Sequence, residues 1–239
     1  MLDLRRIALC AFLATLLAAP SAAQEGTGAQ CTLTFDATWS APTHPVDFPP
    51  DPHFSPLIGG THNDQVVYWQ GGMLASPGVR VVAETGATGT FRSEILQQIS
   101  AGTTDAVVSG GPIGTSPGRA TANFTIDLDH PLLTAITMIA PSPDWFVGVH
   151  GLPLFENGSW IEQLVLQLPA YDAGTDSGMT FTSGNLVTVP AVPIFEITGP
   201  PFMGGTSMGT FTVDCTSSLL FLDGFESEDT AAWSSSVGG

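Results

Sequence analysis

Asp172 and Asp176 sit four residues apart in the stretch YDAGTDSG (171–178), and a third aspartate, Asp144, lies in PSPDWF (141–146). Carboxylates on short segments rich in glycine and proline suit three kinds of chemistry. They can exchange protons in acid–base catalysis, ligate a hard cation, or hydrogen-bond the backbone of a turn. The triplet Asp176-Ser177-Gly178 spells an aspartic-protease signature. That reaction needs two such aspartates sharing a proton, and the chain holds one triplet, flanked by glycine and threonine instead of an apolar strand. Gly205-Thr206-Ser207-Met208-Gly209 matches G-x-S-x-G, and His150, Asp176 and Ser207 follow a His-Asp-Ser order. A nucleophile elbow requires strand, sharp turn and helix, whereas TFTVDC (210–215) reads as a strand. An exported hydrolase using Ser207 or Asp176 is therefore the alternative reading. The histidines at 44, 53, 62, 130 and 150 include no i, i+4 pair of the HExxH kind, and His62 reads as a packing or hydrogen-bonding residue.

The elements that would position the aspartates can be read from turn chemistry. Asn157-Gly158 lies between the apolar runs DWFVGVHGL (144–152) and WIEQLVLQL (160–168). Asn-Gly is the favoured centre of a two-residue hairpin loop. Pairing outward from Glu156 opposite Ser159 brings Asp144 opposite Tyr171, beside Asp172 and a short loop from Asp176. Three carboxylates in one place repel one another unless something positive joins them. The chain has no lysine and no arginine near these residues in sequence, so a metal ion is the expected partner. Calcium, which takes about 6–8 oxygen ligands, suits such a loop. Gly174 and Gly178 are expected at positive φ, and Pro141 and Pro143 to hold the approach to Asp144 extended. On spacing alone, aspartates that merely cap turns account for the same residues equally well.

The remaining chain reads as short strands joined by turns. CTLTFDATW (31–39), ATANFTIDL (120–128), LLTAITMIA (132–140) and MTFTSGN (179–185) read as strands. TFRSEILQQISAG (90–102) reads as a helix, GVRVVAETG (78–86) fits either strand or short helix, and residues 41–56 carry enough prolines to be an extended loop. With 27 glycines and 19 prolines, the expected fold is an all-β antiparallel sandwich with one or two short helices.

The first 23 residues have the layout of a secretory signal peptide. Arg5 and Arg6 precede an apolar run of roughly 13 residues, too short to span a bilayer, and Ser21-Ala22-Ala23 offers a cleavage site. With Arg5, Arg6 and Asp3 in that leader, three basic and 21 acidic residues remain. Such a field repels nucleic acid and anionic lipid and favours cations. Cys31 and Cys215 are the two cysteines after the leader and are expected to form a disulfide in an oxidising compartment. They bracket a domain expected over 31–216, with a flexible start at 24–30 and a flexible tail at 217–239.

At FSPLIGGTHN (54–63), YWQGGMLASPGVRVVAETG (68–86), PSPDWFVGVHGLPLF (141–155) and YDAGTDSGMTFTSGN (171–185), the chain resembles the spondin amino-terminal domain family. The resemblance implies a sandwich related to C2 domains that binds one calcium ion through aspartates at its tip. Carried over residue by residue, the ligands are Asp144, Asp172 and Asp176, with the backbone carbonyl of Tyr171 as a fourth. It implies an extracellular binding or adhesion role, with an unknown extracellular protein or glycan as partner and no catalysis. Residues 217–239 show none of the thrombospondin-type repeats of the animal members, and LFLDGFESEDTAAWS looks like an ending of exported bacterial proteins.

Overall fold

The computed structural model describes residues 28–202 and 207–218 of the 239-residue chain. The elements follow in the order β1 (Gly28–Ala37), β2 (His53–Phe54), β3 (Ile58–His62), α1 (Pro77–Thr85), α2 (Gly89–Ala101), β4 (Thr104–Ser109), β5 (Gly118–Asp127), β6 (Leu132–Ala140), β7 (Trp145–Pro153), β8 (Phe155–Glu156), β9 (Ser159–Trp160), β10 (Gln163–Gln167), β11 (Tyr171–Asp172), β12 (Phe195–Glu196) and β13 (Gly209–Ser217). They build two main antiparallel sheets and a separate two-stranded one, β8-β9. One main sheet has the order β10-β13-β1-β5; the other runs β12-β11-β7-β6-β3-β4, with β2 also paired to β6. This is the expected sandwich. β1 begins at Gly28, so residues 28–30, expected to be flexible, are part of a strand. The leader and most of the tail lie outside the described residues.

The burial patterns explain the layering. In β1, Cys31, Leu33, Phe35 and Ala37 point inward while Thr32, Thr34 and Asp36 face outward, the alternation of a strand with one wet face. β6 is buried along almost its whole length because both of its faces are covered. Leu133, Ala135 and Ile139 join the inter-sheet core with Leu33, Phe35 and Phe211, whereas Ile136 joins a second core under the helices. There Val79, Val82 and Ala83 of α1 and Phe91 and Ile95 of α2 pack over Ile58, Ile136 and Phe146.

GVRVVAETG resolves as helix. Its start signals lie just outside the segment, where Ser76 Oγ accepts the Val79 amide as N-cap and Pro77 opens the first turn; Gly86, the segment's last residue, closes it at φ 72°. Glu94 of α2 adds to the cap, accepting hydrogen bonds from the Gly78 amide and Ser76 Oγ, both at 2.7 Å. A carboxylate here also meets the positive end of the helix dipole.

Cys31 and Cys215 stand directly opposite in the β1–β13 ladder and form the expected disulfide. MTFTSGN, by contrast, is not a strand. Ser183 Oγ accepts the amides of Met179 and Thr180, curling the segment into a turn, and Phe181 plugs the core against Trp39 and Trp145.

Candidate functional site

The Asn157-Gly158 turn forms as its sequence dictates. Both residues take positive φ, 53° and 84°, and Glu156 pairs with Ser159. The ladder ends at Phe155 opposite Trp160, with one further bond from the Ile161 amide to the Leu154 carbonyl. Beyond it the chain crosses to the other sheet as β10, beside β13, before β11 returns to β7. Tyr171 therefore faces Phe146, and Asp172 faces Trp145. The expected pairing of Asp144 with Tyr171 is off by two residues; Asp144 lies next to Ala173, whose amide donates to the Asp144 carbonyl. Asp144 still arrives beside Asp172, because β7 is flanked by β11 whichever route the intervening chain takes.

Asp144 is fully buried at the mouth of β7. Its Oδ2 accepts three hydrogen bonds, from the Thr175 amide (2.7 Å), Thr175 Oγ1 (3.1 Å) and the Asp176 amide (3.0 Å). Its Oδ1 is buried and has no hydrogen-bond partner. Asp172 accepts the Gly174 amide on Oδ1 and the Trp145 indole N–H on Oδ2. Asp176 accepts the Gly178 amide on Oδ1 and the Leu186 amide on Oδ2. Thr175 and Trp145 are thus site residues that spacing did not reveal. Trp145 carried a signal, since it adjoins Asp144 in a strand; Thr175 carried none.

The loop after β11 folds back on itself. Asp176 bridges Val187, Thr188 donates to the Thr175 carbonyl, and Val192 donates to that of Gly174. Gly174 sits at φ 74°, and a Cβ there would lie 2.0 Å from the Val192 carbonyl oxygen. Gly178 is not at positive φ as expected. Its role is close approach: a Cβ would meet Pro143 Cγ at 2.6 Å. The run before Asp144 is likewise a turn and not an extended lead-in. The Ala140–Pro141 bond is cis, and Ser142 Oγ accepts the Trp145 amide.

Burial and mutual repulsion govern the electrostatics. Asp172 is pushed up to about 6, first by desolvation and then by the charge of Asp144, with Asp176 adding to it. Desolvation also raises Asp144, against the hydrogen bonds from Thr175 and Asp176. The charges acting on both are those of neighbouring carboxylates. As the side chains stand, no three His, Cys, Asp or Glu among the described residues are grouped to hold a metal ion. The donor chemistry nevertheless fits one. Asp144 Oδ1 is an orphaned buried acceptor, and each oxygen of Asp172 and Asp176 keeps a lone pair beyond its hydrogen bond. Tyr171 is a ladder residue between Phe146 and Glu196.

The catalytic alternatives meet different surroundings. Ser207 Oγ accepts the Leu168 amide and donates to the Gly209 carbonyl, tying the start of β13, a strand, to the end of β10. His150 packs against Trp69, ring centres 4.9 Å apart. His62 is buried, with Nδ1 on the Asn63 carbonyl and Nε2 on Thr134 Oγ1, the packing and hydrogen-bonding role expected of it.

Two antiparallel sheets, a helical layer over one of them and an acidic loop cluster at one end define a class of β-sandwich module. The sequence profile of the Spondin_N family matches residues 29–203. Human Spondin-2 is 35% identical over 207 residues, covering 80% of this chain and 61% of its own. Rat Spondin-2 is 36% identical over 179 residues, covering 71% and 53%. Rat Spondin-1 is 37% identical over 182 residues, covering 71% of this chain and 22% of its own length. The chain belongs to the spondin amino-terminal domain family. It spans just over half of the Spondin-2 chains and about a fifth of Spondin-1. These relatives are vertebrate proteins and lend no support to the bacterial origin suggested by the tail. Among the described residues, no helix is long and apolar enough to cross a membrane.

Proposed function

We propose that this chain is a secreted, calcium-binding spondin-type sandwich that acts as an extracellular binding or adhesion module and not as an enzyme. The observation that carries the metal reading is the buried Asp144 Oδ1, without a hydrogen-bond partner, in the company of Asp172 and Asp176. Asp144, Asp172, Asp176 and the Tyr171 carbonyl would hold the ion. Calcium, when bound, supplies the positive charge that lets three neighbouring carboxylates stay ionised together. Asp144 is fixed in place by Thr175 and Asp176, and Asp172 by Trp145 and Gly174. The ion would clamp β7 to the loop after β11.

Family membership supports the extracellular role, and the partner would be an extracellular protein or glycan. Thermal melts in calcium and in chelator test the metal. The midpoint should rise with calcium, by an increment equivalent to about 2.7 kcal/mol at a hundredfold excess over Kd, and Asp144→Asn should abolish the rise. Identical melts in calcium and chelator would remove the ion from the proposal. Capture of extracellular proteins and glycans by the calcium-loaded domain tests the binding role separately.

A further inference from the structure

We propose that β10 is a self-pairing edge through which two copies of the chain join about a twofold axis at Val165. β10 is the outermost strand of its sheet and, among the described residues, is paired to β13 alone. Its phase is fixed by two flanking bonds: Cys215 donates to the Glu162 carbonyl, and Leu168 donates to that of Gly209. Backbone groups alternate in direction along an antiparallel strand. Leu164 and Leu166 therefore turn their amides and carbonyls toward β13, and Gln163, Val165 and Gln167 turn theirs outward.

The sequence of the strand, QLVLQ, reads the same in both directions about Val165. An antiparallel copy centred on Val165 places Val165 against itself, Gln163 against Gln167 and Leu164 against Leu166. In that register the outward groups coincide: Val165 exchanges both bonds with its copy, and each Gln163 does so with the opposing Gln167. The palindrome and the phase are separate facts. The phase makes Val165 itself a hydrogen-bonded pair; in the opposite phase Leu164 and Leu166 would exchange the bonds instead.

Edge strands are commonly shielded by charge, proline or a bulge. β10 has none of these: it carries no charged residue in a chain of net charge −17, and its pairing with β13 is unbroken. Val165 is 54% exposed and both glutamines are exposed. The far edge of the other sheet differs, since Ile194, next to β12, exchanges bonds with Gly72 and Met73. A second copy is the occupant because the palindromic strand meets its own copy with like residues at equivalent positions on both sides of the axis, giving an isologous contact.

Analytical ultracentrifugation of the disulfide-bonded, leader-free chain tests this. The average mass should climb toward twice the monomer with concentration, and at lower concentration in high salt, which screens the repulsion between two acidic copies. Val165→Lys should weaken dimerisation roughly tenfold or more by placing like charges opposite each other, with an unchanged monomer melting point. Val165→Cys should cross-link into a disulfide dimer roughly tenfold faster than Val67→Cys, a control at another exposed valine. A chain that stays monomeric at all salts, or a Val165→Cys variant that cross-links no faster than the control, overturns the proposal. Neither result bears on calcium, whose residues lie on β11, in the loop after it and just before β7.

Discussion

Trp145 stands directly opposite Asp172 in the β7–β11 ladder, and its indole nitrogen donates to Asp172 Oδ2 over 3.1 Å. The same indole is buried against Phe181 and Phe202. One side chain thus ties the acidic loop to the hydrophobic core. Trp145→Phe keeps most of that packing and removes the donor. It should cost about 1.5–3 kcal/mol, the range for a hydrogen bond to a charged group, read from denaturant unfolding.

The acidic cluster gives stability an unusual pH dependence. A carboxyl raised in the folded state binds its proton there more readily than in the unfolded chain. In chelator, its contribution is present below its unfolded pKa near 4 and is lost as pH rises through about 6. The Asp172 contribution to the melting midpoint in chelator should fall across that window, against the opposite slope of His62 and His150, which burial lowers. Asp172→Asn should flatten the slope, and saturating calcium should do so too, because the proposed ion would hold the carboxylates ionised. His130, raised by the Gly102 carbonyl and Asp127 despite its desolvation, adds a loss of the same sign that begins above pH 6.5, outside this window. A slope unaltered by Asp172→Asn would assign it to other groups.

Loop geometry predicts a contrast between two glycines. Gly174→Ala combines a positive φ with a Cβ driven into the Val192 carbonyl, and should destabilise by at least about 2 kcal/mol. Gly184→Ala meets nothing within 4 Å and should stay within about 0.5 kcal/mol. Equal melting points for the two variants would contradict the loop as described.

The disulfide closes a loop across 184 residues of sequence between adjacent central strands. The chain-entropy model assigns such a closure about 5 kcal/mol. Replacing both cysteines by serine should lower unfolding free energy by about 3–5 kcal/mol while leaving the β-sheet circular dichroism of the folded state unchanged.

Ser207 serves the backbone, accepting from Leu168 and donating to Gly209. A serine-directed fluorophosphonate should leave it unlabelled. Ser207→Ala should cost about 1 kcal/mol of stability by removing those bonds. Labelling at Ser207 would revive the hydrolase reading.

The pieces legible in the sequence were those with short-range causes. Alternation marked β1, β5 and their wet faces, Asn157-Gly158 marked its turn, and Phe91 and Ile95 marked the buried side of α2. The helix at α1 was open to detection from Ser76 and Pro77, just outside the ambiguous segment, and from Gly86 at its end. MTFTSGN misled because period-two alternation also describes a turn that drops one aromatic, Phe181, into the core. Gly178 misled because a glycine chosen for close contact with Pro143 looks, in sequence, like one chosen for positive φ.

The sequence by itself determined the sandwich class, the acidic character, the cysteine pair and the aspartates that meet at one end. Only the tertiary structure decided which strand each run of apolar residues joins. Turn chemistry fixes a hairpin for a few residues on either side of Asn157-Gly158, since that is as far as local backbone geometry reaches. Past Trp160 the choice between sheets is made by burial and by long-range backbone pairing. That choice placed Asp144 beside Ala173, put Thr175 and Trp145 among the aspartates, and left QLVLQ on an open edge.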